Sequence, residues 1–435
     1  MATDARHTAA QAVARLHRGG WANLTLKSAL ATSALSQQDK AFAAALFYGT
    51  AERIATLDYL LRPWLKQPVA KLDTEVRALL ETGLYQILYM DVPAHAAVNE
   101  AVGLARRMKK SSAAGLVNAV LRRAAEAGLP QGPYKNEEER VQVEYSVSPA
   151  VAKAVMSALP GQYDLFLTAS FARPGLCLRA NTLRTTPEKL AEALAQGGGE
   201  VKPGTLPACL YARLPGGVAE EEMFAAGLYH VQGEASQFAC AALAVKPGER
   251  VLDLCAAPGG KSATLAQYLG GGEGLTACDI HAHRLQLVAE TLARLGIQGA
   301  ALLQMDAAVY NPALAGQDKV LCDVPCSGLG VLAAKPDLRY TAGENFAALP
   351  ALQLAILQTA ARYVKKGGLL VYSTCTIRQE ENAEVVEAFL KSSPGFRPVL
   401  PKAQLAGAQQ SGNMLTFLPV SSNLDGFFVA TLERL

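Results

Sequence analysis

Residues Val251 to Ser262 read VLDLCAAPGGKS, and this stretch decides the fold of the protein. Its first four residues form a short apolar run that predicts a strand buried on both faces. The small residues and the proline that follow predict a loop, and the pattern from Lys261 onward predicts a helix. A buried strand, a small-residue loop and a helix in this order are typical of a doubly wound α/β sheet.

The same alternation of elements continues to the carboxyl end of the chain, which predicts an open, mostly parallel, Rossmann-like α/β sheet. The last two apolar runs, 414–420 and 426–432, are joined by Ser-Ser-Asn-Leu-Asp and predict a closing antiparallel hairpin. The other predicted strands are Arg250–Leu254, Gly274–Cys278, Ala300–Gln304, Lys319–Cys322 and Gly368–Ser373, and the predicted helices are Lys261–Leu269, His283–Leu295 and Pro350–Val364.

Two regions of different character precede this sheet. Apolar residues recur at three- and four-residue intervals from Ala2 to about Gly128, which predicts an all-α domain. Helical and strand-like segments alternate in the next region, which indicates a small α+β domain. The sequence therefore predicts a multidomain protein, with an all-α domain at 1–130, a small α+β domain at 140–235 and an α/β domain at 236–435.

Composition limits the class of protein. Half of the 435 residues are hydrophobic, but no run of eighteen apolar residues occurs and the amino terminus does not resemble a signal peptide, so we expect a cytoplasmic protein. The eight cysteines are dispersed, and most of them should be reduced thiols. Neither a C-x-x-C pair nor an H-x-x-x-H spacing occurs, so we expect no bound metal.

The net charge of +3 is unevenly distributed. Residues 1–140 contain about 18 basic and about 13 acidic side chains, with clusters at Arg106, Arg107, Lys109 and Lys110 and at Arg122 and Arg123. This excess is a weak indication of polyanion binding, and ordinary solvated helix faces explain it equally well.

Three classes of cofactor are candidates for the loop that follows the first strand, and its residues fit only one of them. A dinucleotide site requires G-x-G-x-x-G, which the loop lacks. A phosphate loop of the form G-x-x-x-x-G-K-[ST] would need glycine where Cys255 stands. S-adenosylmethionine contains no phosphate and needs only a close approach to the backbone and an acid for its ribose hydroxyls. We therefore expect the loop Cys255, Ala256, Ala257, Pro258, Gly259, Gly260 and Lys261 to bind this cofactor.

Acidic residues end the next two predicted strands. Asp279 lies about twenty residues beyond the loop, the spacing expected of an acid that binds a ribose. Asp306 ends the strand after it and could accept a hydrogen bond from an adenine amino group. One such acid is often only a helix cap, but two at consecutive strand ends favour an adenosine-containing ligand.

Two cysteines follow the last two parallel strands of the predicted sheet. Cys326 lies in Asp323-Val-Pro-Cys-Ser-Gly, and Cys375 lies in Ser373-Thr-Cys-Thr. A single cysteine is usually a small buried hydrophobe, as we expect for Cys322 inside its strand. Two cysteines on the edge of the sheet that carries the cofactor loop instead indicate covalent catalysis by a thiol.

These residues resemble the Sun (Fmu) family of RNA 5-methylcytosine methyltransferases. The resemblance covers nearly all of residues 140–435. It rests on Asp253–Lys261, Asp279, Asp306, the two cysteine motifs, the closing Asp425-Gly-Phe-Phe-Val-Ala, and Leu178-Arg-Ala-Asn-Thr-Leu-Arg, which resembles the first strand of the RRM-like RNA-binding subdomain. Gly233 departs from the family, which commonly has aspartate there, and Tyr145-Ser-Val-Ser-Pro lacks the usual aromatic residue after the proline.

The resemblance implies roles for four side chains. Cys375 would be the nucleophile that adds to the target cytosine, and Cys326 would assist release of the product. Asp323 would lie at the target cytosine or at the methionine end of S-adenosylmethionine, and Lys261 would lie near both substrates.

The amino-terminal region resembles NusB-type helical RNA-binding domains. The matching segments are Asp39-Lys-Ala-Phe-Ala, Leu46-Phe-Tyr-Gly, Leu84-Tyr-Gln-Ile-Leu-Tyr-Met, Ala97-Val-Asn-Glu-Ala-Val and Val117-Asn-Ala-Val-Leu-Arg. Their fusion to this catalytic domain is similar to bacterial members of the family that act on 16S ribosomal RNA. The resemblance therefore implies a monomeric 16S rRNA cytosine-C5 methyltransferase, with no DNA or membrane partner. Two alternatives are transfer RNA as the substrate, and an RNA-binding assembly or antitermination factor with a vestigial methyltransferase domain.

Overall fold

The computed structural model describes residues 4–20, 22–31, 33–172, 175–218, 221–420 and 424–435. The chain divides into two compact units. One contains residues 1–157 together with 334–342, and the other contains residues 158–333 together with 343–435. No described helix is long and apolar enough to cross a lipid bilayer.

The first unit is all-helical, as the amino-terminal periodicity predicts. Val76, Leu79, Leu80 and Leu84 line the buried face of its central helix, α5, because a spacing of three and four residues returns to the same side of a helix. The helices are α1 (Ala5–Leu16), α2 (Ala22–Ala31), α3 (Gln37–Glu52), α4 (Ile54–Leu61), α5 (Thr74–Tyr89), α6 (Ala94–Arg107), α7 (Ala114–Ala127), α8 (Glu137–Glu144) and α9 (Pro149–Ala158).

A distant segment completes this helical unit. Residues 334–342 contain a short 3₁₀ helix, Pro336–Tyr340, in which Arg339 is fully buried. The carbonyl oxygen of Arg339 accepts the N–H of Ser148 at 2.7 Å, and the Tyr340 hydroxyl accepts the N–H of Ile54 at 3.0 Å. No local sequence pattern predicts that residues 334–342 belong to the helical unit.

The second unit begins with a four-stranded antiparallel sheet of order β2-β3-β1-β4, which confirms the small α+β fold. Leu190 and Leu194 of α11 pack with strand residues such as Leu178 and Leu210 in the core of this subdomain. The elements are α10 (Tyr163–Ala169), β1 (Leu176–Ala180), α11 (Pro187–Gln196), β2 (Glu200–Pro203), β3 (Cys209–Arg213), α12 (Glu222–Ala225) and β4 (Tyr229–Val231).

The larger sheet has the order β11-β12-β13-β9-β8-β5-β6-β7, with β10 paired to β13. Strands β5 to β9 are parallel, and the carboxyl-terminal strands are antiparallel. The elements are α13 (Glu234–Ala241), β5 (Val251–Asp253), α14 (Gly260–Leu269), β6 (Leu275–Asp279), α15 (Ala282–Arg294), β7 (Ala301–Gln304), β8 (Gln317–Asp323), α16 (Leu349–Tyr363), β9 (Val364–Thr374), α17 (Ala383–Ser392), β10 (Phe396–Val399), β11 (Gln409–Ser411), β12 (Met414–Phe417) and β13 (Phe427–Arg434).

Helices cover both faces of this sheet. Leu321 and Val371 face a core that includes residues of α13, α14 and α15, whereas their neighbours Val320 and Tyr372 face a core that includes residues of α16 and α17. The Rossmann-like prediction is confirmed, and so is the closing hairpin of β12 and β13. Part of the connection predicted for that hairpin, 421–423, lies outside the described residues.

The strand order reverses direction at β5. The chain proceeds from β5 to β6 and β7 on one side, whereas β8 and β9 lie on the other side. In such sheets the crevice beyond the carboxyl ends of the strands at this reversal is the usual ligand site. The loop Cys255–Lys261 follows β5 and therefore lies at this position.

Candidate active site

The loop after β5 is held in place by backbone hydrogen bonds from neighbouring strands. The N–H of Leu254 donates to the carbonyl of Leu321 at 3.1 Å, and the N–H of Ala256 donates to that of Cys278 at 2.8 Å. Gly259 has φ +107°, and a Cβ atom there would lie 3.0 Å from the Cα of Val288. Glycine is therefore required at this turn into α14, for its conformation and for its close packing against α15.

A buried acid with a free oxygen lies beneath this loop. Asp253 is fully buried, and its Oδ2 accepts a hydrogen bond from the Ser262 hydroxyl at 2.7 Å. Its Oδ1 has no hydrogen-bond partner among the described residues. Burial raises the pKa of Asp253 to about 6, although the Ser262 hydrogen bond and the charge of Lys261 oppose the shift. An unsatisfied buried acceptor costs free energy, so this site suits a ligand with a cationic or N–H donor group.

The two acids at the carboxyl ends of β6 and β7 differ in their surroundings. Asp279 is buried; its Oδ1 accepts the N–H of His281 at 3.1 Å, and its Oδ2 accepts the N–H of Ala257 at 3.3 Å. Arg284, which the sequence analysis missed, lies 3.7 Å from Asp279 and donates to the carbonyl of Ala257 at 3.3 Å. Asp306 is exposed, with one oxygen bound to the N–H of Ala308. Asp279 is thus oriented by the cofactor loop itself.

The two motif cysteines lie side by side. Cys326 follows β8 and Cys375 follows β9, and the Sγ atoms are 3.3 Å apart. Parallel pairing aligns Asp323 with Ser373 and brings the carboxyl ends of the two strands to the same edge of the sheet. All eight cysteines are free thiols, and Cys322 is buried in the core as expected.

Lys261 and Asp323 form an ion pair close to these sulfurs. The Lys261 Nζ lies 2.8 Å from Asp323 Oδ2, and the Ser373 hydroxyl donates to Asp323 Oδ1 at 2.7 Å. Burial lowers the pKa of Lys261, but the Asp323 carboxylate outweighs burial and holds that pKa above its usual value. Lys261 is therefore a cation at neutral pH, and its charge also acts on Cys375.

The two thiols differ in their surroundings. The pKa of Cys326 is raised, chiefly by the hydrogen bond between Cys326 and Cys375 and further by burial. Cys326 therefore keeps its proton at neutral pH. Either thiol can donate in the 3.3 Å contact between the two sulfurs, and a donor beside a cysteine favours the thiolate form of that cysteine.

The structure brings most of the expected site residues to one edge of the sheet. The loop Cys255–Lys261, Cys326 and Cys375 follow the carboxyl ends of parallel strands, as does Asp306, and Asp279 and Asp323 are the last residues of β6 and β8. Gly233, where the sequence departs from the family, lies beside the Asp425 carboxylate: a Cβ atom on Gly233 would lie 2.9 Å from Asp425 Oδ2.

Comparison with known proteins agrees with this architecture. A family model described as "16S rRNA methyltransferase RsmB/F" matches residues 240–433, and the NusB family model matches residues 3–126. The "Probable ribosomal RNA small subunit methyltransferase B" of Bacillus subtilis is 34% identical, with 99% of each chain covered. The "Ribosomal RNA small subunit methyltransferase B" of Pseudomonas putida is 35% identical, with 99% of this chain and 98% of the relative covered.

A solved structure entitled "Crystal Structure of PH0851" has the same fold over its whole length. Its TM-score is 0.85 at 26% identity, with both chains fully covered. The sheet order and the cofactor loop with its two acids define an S-adenosylmethionine-dependent methyltransferase. The chain belongs to the RsmB/F methyltransferase family and carries a NusB-family domain in its amino-terminal part.

Proposed function

We propose that this protein methylates carbon 5 of one cytosine in 16S ribosomal RNA, through a covalent bond between Cys375 and the base. The observation that carries the proposal is the pair of sulfurs, 3.3 Å apart, on the edge of the sheet that bears the cofactor loop. The printed names of the matching family and of the relatives from Bacillus subtilis and Pseudomonas putida support ribosomal RNA as the substrate.

The residues of the cofactor loop suit S-adenosylmethionine. Asp253 has a free buried oxygen that can accept a hydrogen bond from its amino group, and Asp279 and Asp306 can accept from its ribose hydroxyls and adenine amino group. When bound, S-adenosylmethionine would supply the methyl group, and the electron pair of the broken S–CH3 bond would stay on its sulfur as a neutral thioether. Gly259 sets the turn of this loop into α14, where its φ of +107° and its packing against α15 both require glycine.

The cysteines divide the reaction into two steps. The Cys375 thiolate adds to carbon 6 of cytosine, so that carbon 5 gains the electron density needed to take the methyl group. A base then removes the proton from carbon 5, the electron pair of that C–H bond restores the double bond, and the sulfur leaves carbon 6. The closeness of the two sulfurs supports a role for Cys326 in this release step.

We propose that Asp323 and Lys261 hold the target cytosine in place during these steps. The Asp323 carboxylate can accept a hydrogen bond from the exocyclic amino group of cytosine, since an ionised carboxylate is an acceptor only. Lys261 and the Ser373 hydroxyl orient that carboxylate. Orientation before the reaction is the main way in which such polar groups accelerate a chemical step.

Replacement of each cysteine tests the proposal. In cells that lack the enzyme, wild-type protein should restore one 5-methylcytosine in 16S rRNA, measured by bisulfite sequencing, and Cys375→Ala should not. Cys326→Ala should instead accumulate a covalent protein–RNA species on a denaturing gel, because addition occurs and release fails. Cys278→Ala, a fully buried thiol of β6, is the matched control and should methylate normally.

Several outcomes would contradict the proposal. Full methylation by Cys375→Ala would exclude it as the nucleophile, and the absence of a shifted species with Cys326→Ala would exclude the release role. If the protein restored 5-methylcytosine in transfer RNA alone, the substrate would be transfer RNA and not 16S rRNA. Failure of calorimetry to detect S-adenosylmethionine binding would favour an RNA-binding factor with a vestigial domain.

A further inference from the structure

Two adjacent buried residues, Glu381 and Asn382, lie between the loop after β9 and the first turn of α17. Both have relative exposures of 0%. A buried glutamate is unusual unless its charge is neutralised and its oxygens are hydrogen-bonded. The partners of these two side chains are all in the immediate surroundings of Cys326 and Cys375.

Glu381 holds the chain on both sides of Cys326. Its Oε2 accepts the backbone N–H of Ser327 at 2.9 Å and the side-chain amide of Gln353 at 2.9 Å. The same Gln353 nitrogen donates to the carbonyl of Pro325 at 2.9 Å. The residues before and after Cys326 are therefore tied to a single carboxylate.

The charge of Glu381 is balanced locally. Arg378 Nη1 lies 3.1 Å from Glu381 Oε1, and the Tyr372 hydroxyl donates to the Glu381 carbonyl at 2.6 Å. Because Tyr372 belongs to β9, Glu381 is anchored to the strand that leads to Cys375. Charge-assisted hydrogen bonds of this kind are stronger than neutral ones and fix geometry more tightly.

Asn382 holds the chain on both sides of Cys375. Its Oδ1 accepts the Thr374 hydroxyl at 2.5 Å, and its Nδ2 donates to the carbonyl of Thr376 at 3.0 Å. Asn382 occupies the N-cap position of α17, where an asparagine normally accepts a backbone N–H of its own helix. It makes no such cap bond, because its side chain is used on the cysteine loop instead.

A further hydrogen bond joins the two cysteine loops directly. The hydroxyls of Ser327 and Thr376, each the residue after a motif cysteine, lie 2.7 Å apart. Glu381 is hydrogen-bonded to the Cys326 loop and Asn382 to the Cys375 loop, so the two loops belong to one buried polar network. Hydrogen bonds that link both loops in this way limit their independent movement, although the Oε1 atom of Gln353 is buried without a partner among the described residues.

We propose that the Glu381-Asn382 dipeptide is the positioning element that sets the separation of the Cys326 and Cys375 sulfurs. The inference rests on the catalytic roles proposed for those cysteines. The hydrogen bonds of both residues reach the chain on either side of the cysteines, and the two residues act through that chain. Their loss should therefore affect the chemical step and leave substrate binding largely unchanged, because the site is otherwise intact.

Asn382→Asp is the sharpest test of this inference. The carboxylate keeps the size of the side chain and can still accept the Thr374 hydroxyl, but it presents an oxygen to the Thr376 carbonyl where the amide donated. We expect kcat to fall about tenfold, with KM for RNA within about twofold of wild type. In the protein without RNA, a short bifunctional thiol reagent should link Cys326 to Cys375 about tenfold more slowly, measured by peptide mass spectrometry.

Gln317→Glu is the matched control. Gln317 is buried at the opposite end of β8, and its amide donates to the carbonyl of Leu314 at 2.7 Å, so the substitution makes the same chemical change away from the cysteines. It should leave both kcat and the Cys326–Cys375 linking rate at wild-type values. Mass spectrometry also separates this link from one between Cys177 and Cys209, whose sulfurs are 3.5 Å apart.

The outcomes distinguish this inference from the proposed function. An unchanged linking rate in folded Asn382→Asp, or an equal decrease in Gln317→Glu, would overturn the inference. If Asn382→Asp does not fold, Thr374→Val removes the other hydrogen bond of Asn382, the one that its Oδ1 accepts from the Thr374 hydroxyl, with little change in shape, and the same criteria apply. Because the linking assay needs no RNA, inactivity of the wild-type protein on ribosomal RNA would refute the proposed function and leave the assay interpretable.

Discussion

At the scale of single residues, Asp253 shows how a ligand site can reduce the stability of the protein. Its buried carboxylate has one oxygen without a partner among the described residues, and burial raises its pKa from 3.8 to about 6. The native state therefore binds a proton more tightly than the unfolded chain does. Any stabilisation from this group is present at low pH and is lost as the pH rises through about 6.

Asp253→Asn should therefore make the cofactor-free protein more stable at neutral pH, by at most roughly 3 kcal/mol. The same change should weaken S-adenosylmethionine binding, because it removes the free acceptor. The measurement is urea unfolding of both proteins at intervals from pH 4 to pH 8, with calorimetry for the cofactor. The difference in stability between variant and wild type should grow from pH 4 to about pH 6 and then stay constant.

Asp318→Asn is a control for which we expect the opposite change in stability. Burial opposes ionisation of Asp318, but the Lys365 side chain and the Arg250 backbone outweigh burial and lower its pKa. Its removal should therefore destabilise the protein at neutral pH. A stability difference for Asp253→Asn that does not change with pH would contradict this account of the buried carboxyl.

At the scale of elements, the loop after β8 and the start of β13 pack through two glycines. The N–H of Gly330 donates to the Cys375 carbonyl at 2.9 Å, and the N–H of Gly426 donates to the Gly330 carbonyl at 2.8 Å. A Cβ atom on Gly330 would collide with the carbonyl oxygen of Gly426. Three elements of the sheet edge thus meet without intervening side chains, next to Cys375.

Gly330→Ala should therefore displace the loop that carries Cys326 and lower kcat by about a hundredfold or more, since an error of about 1 Å at a reacting group has an effect of that order. Single-turnover methylation assays measure the rate, and circular dichroism confirms that the variant is folded. The control is Gly395→Ala, where an added Cβ atom meets nothing within 4 Å. Wild-type rates for Gly330→Ala would show that this close packing is not needed for catalysis.

At the scale of the whole molecule, the helical unit is built from two distant parts of the chain. Helix α4 has no side-chain cap from Arg53, and its first backbone donors are satisfied elsewhere: Ile54 donates to the Tyr340 hydroxyl and Ala55 donates to the Ser146 hydroxyl, each at 3.0 Å. Tyr340 therefore acts as a cap from a remote part of the sequence. Free backbone N–H groups at a helix start require such partners.

Tyr340→Phe should leave the Ile54 N–H without its acceptor and destabilise the start of α4 by about 1 kcal/mol. Hydrogen exchange followed by mass spectrometry should show faster exchange at residues 54–58, whereas peptides from β5 and β8 should keep wild-type rates. Unchanged exchange at α4 would show that the tyrosine hydroxyl contributes nothing to this cap.

Much of the fold could be predicted because it depends on local patterns. The parallel strands differ from the predicted ranges mainly at their ends, and α14 differs by one residue, because buried strands and amphipathic helices have distinct periodicities. The structure also contains strands β10 and β11 and helix α17, none of which was predicted. Short, exposed strands such as β11 have little apolar signal, since their residues are in contact with solvent.

The sequence by itself determined the class of cofactor loop, the acids at consecutive strand ends and the two cysteines at the carboxyl ends of strands, because each is a local pattern of residue types. Only the tertiary structure decided the 3.3 Å separation of the sulfurs, the Lys261–Asp323 ion pair and the packing of residues 334–342 with the helical unit. Glu381 and Asn382 belong to this second group. Their partners are set by the register of β8 against β9 and by the packing of α16 and α17, and no local pattern encodes these long-range contacts.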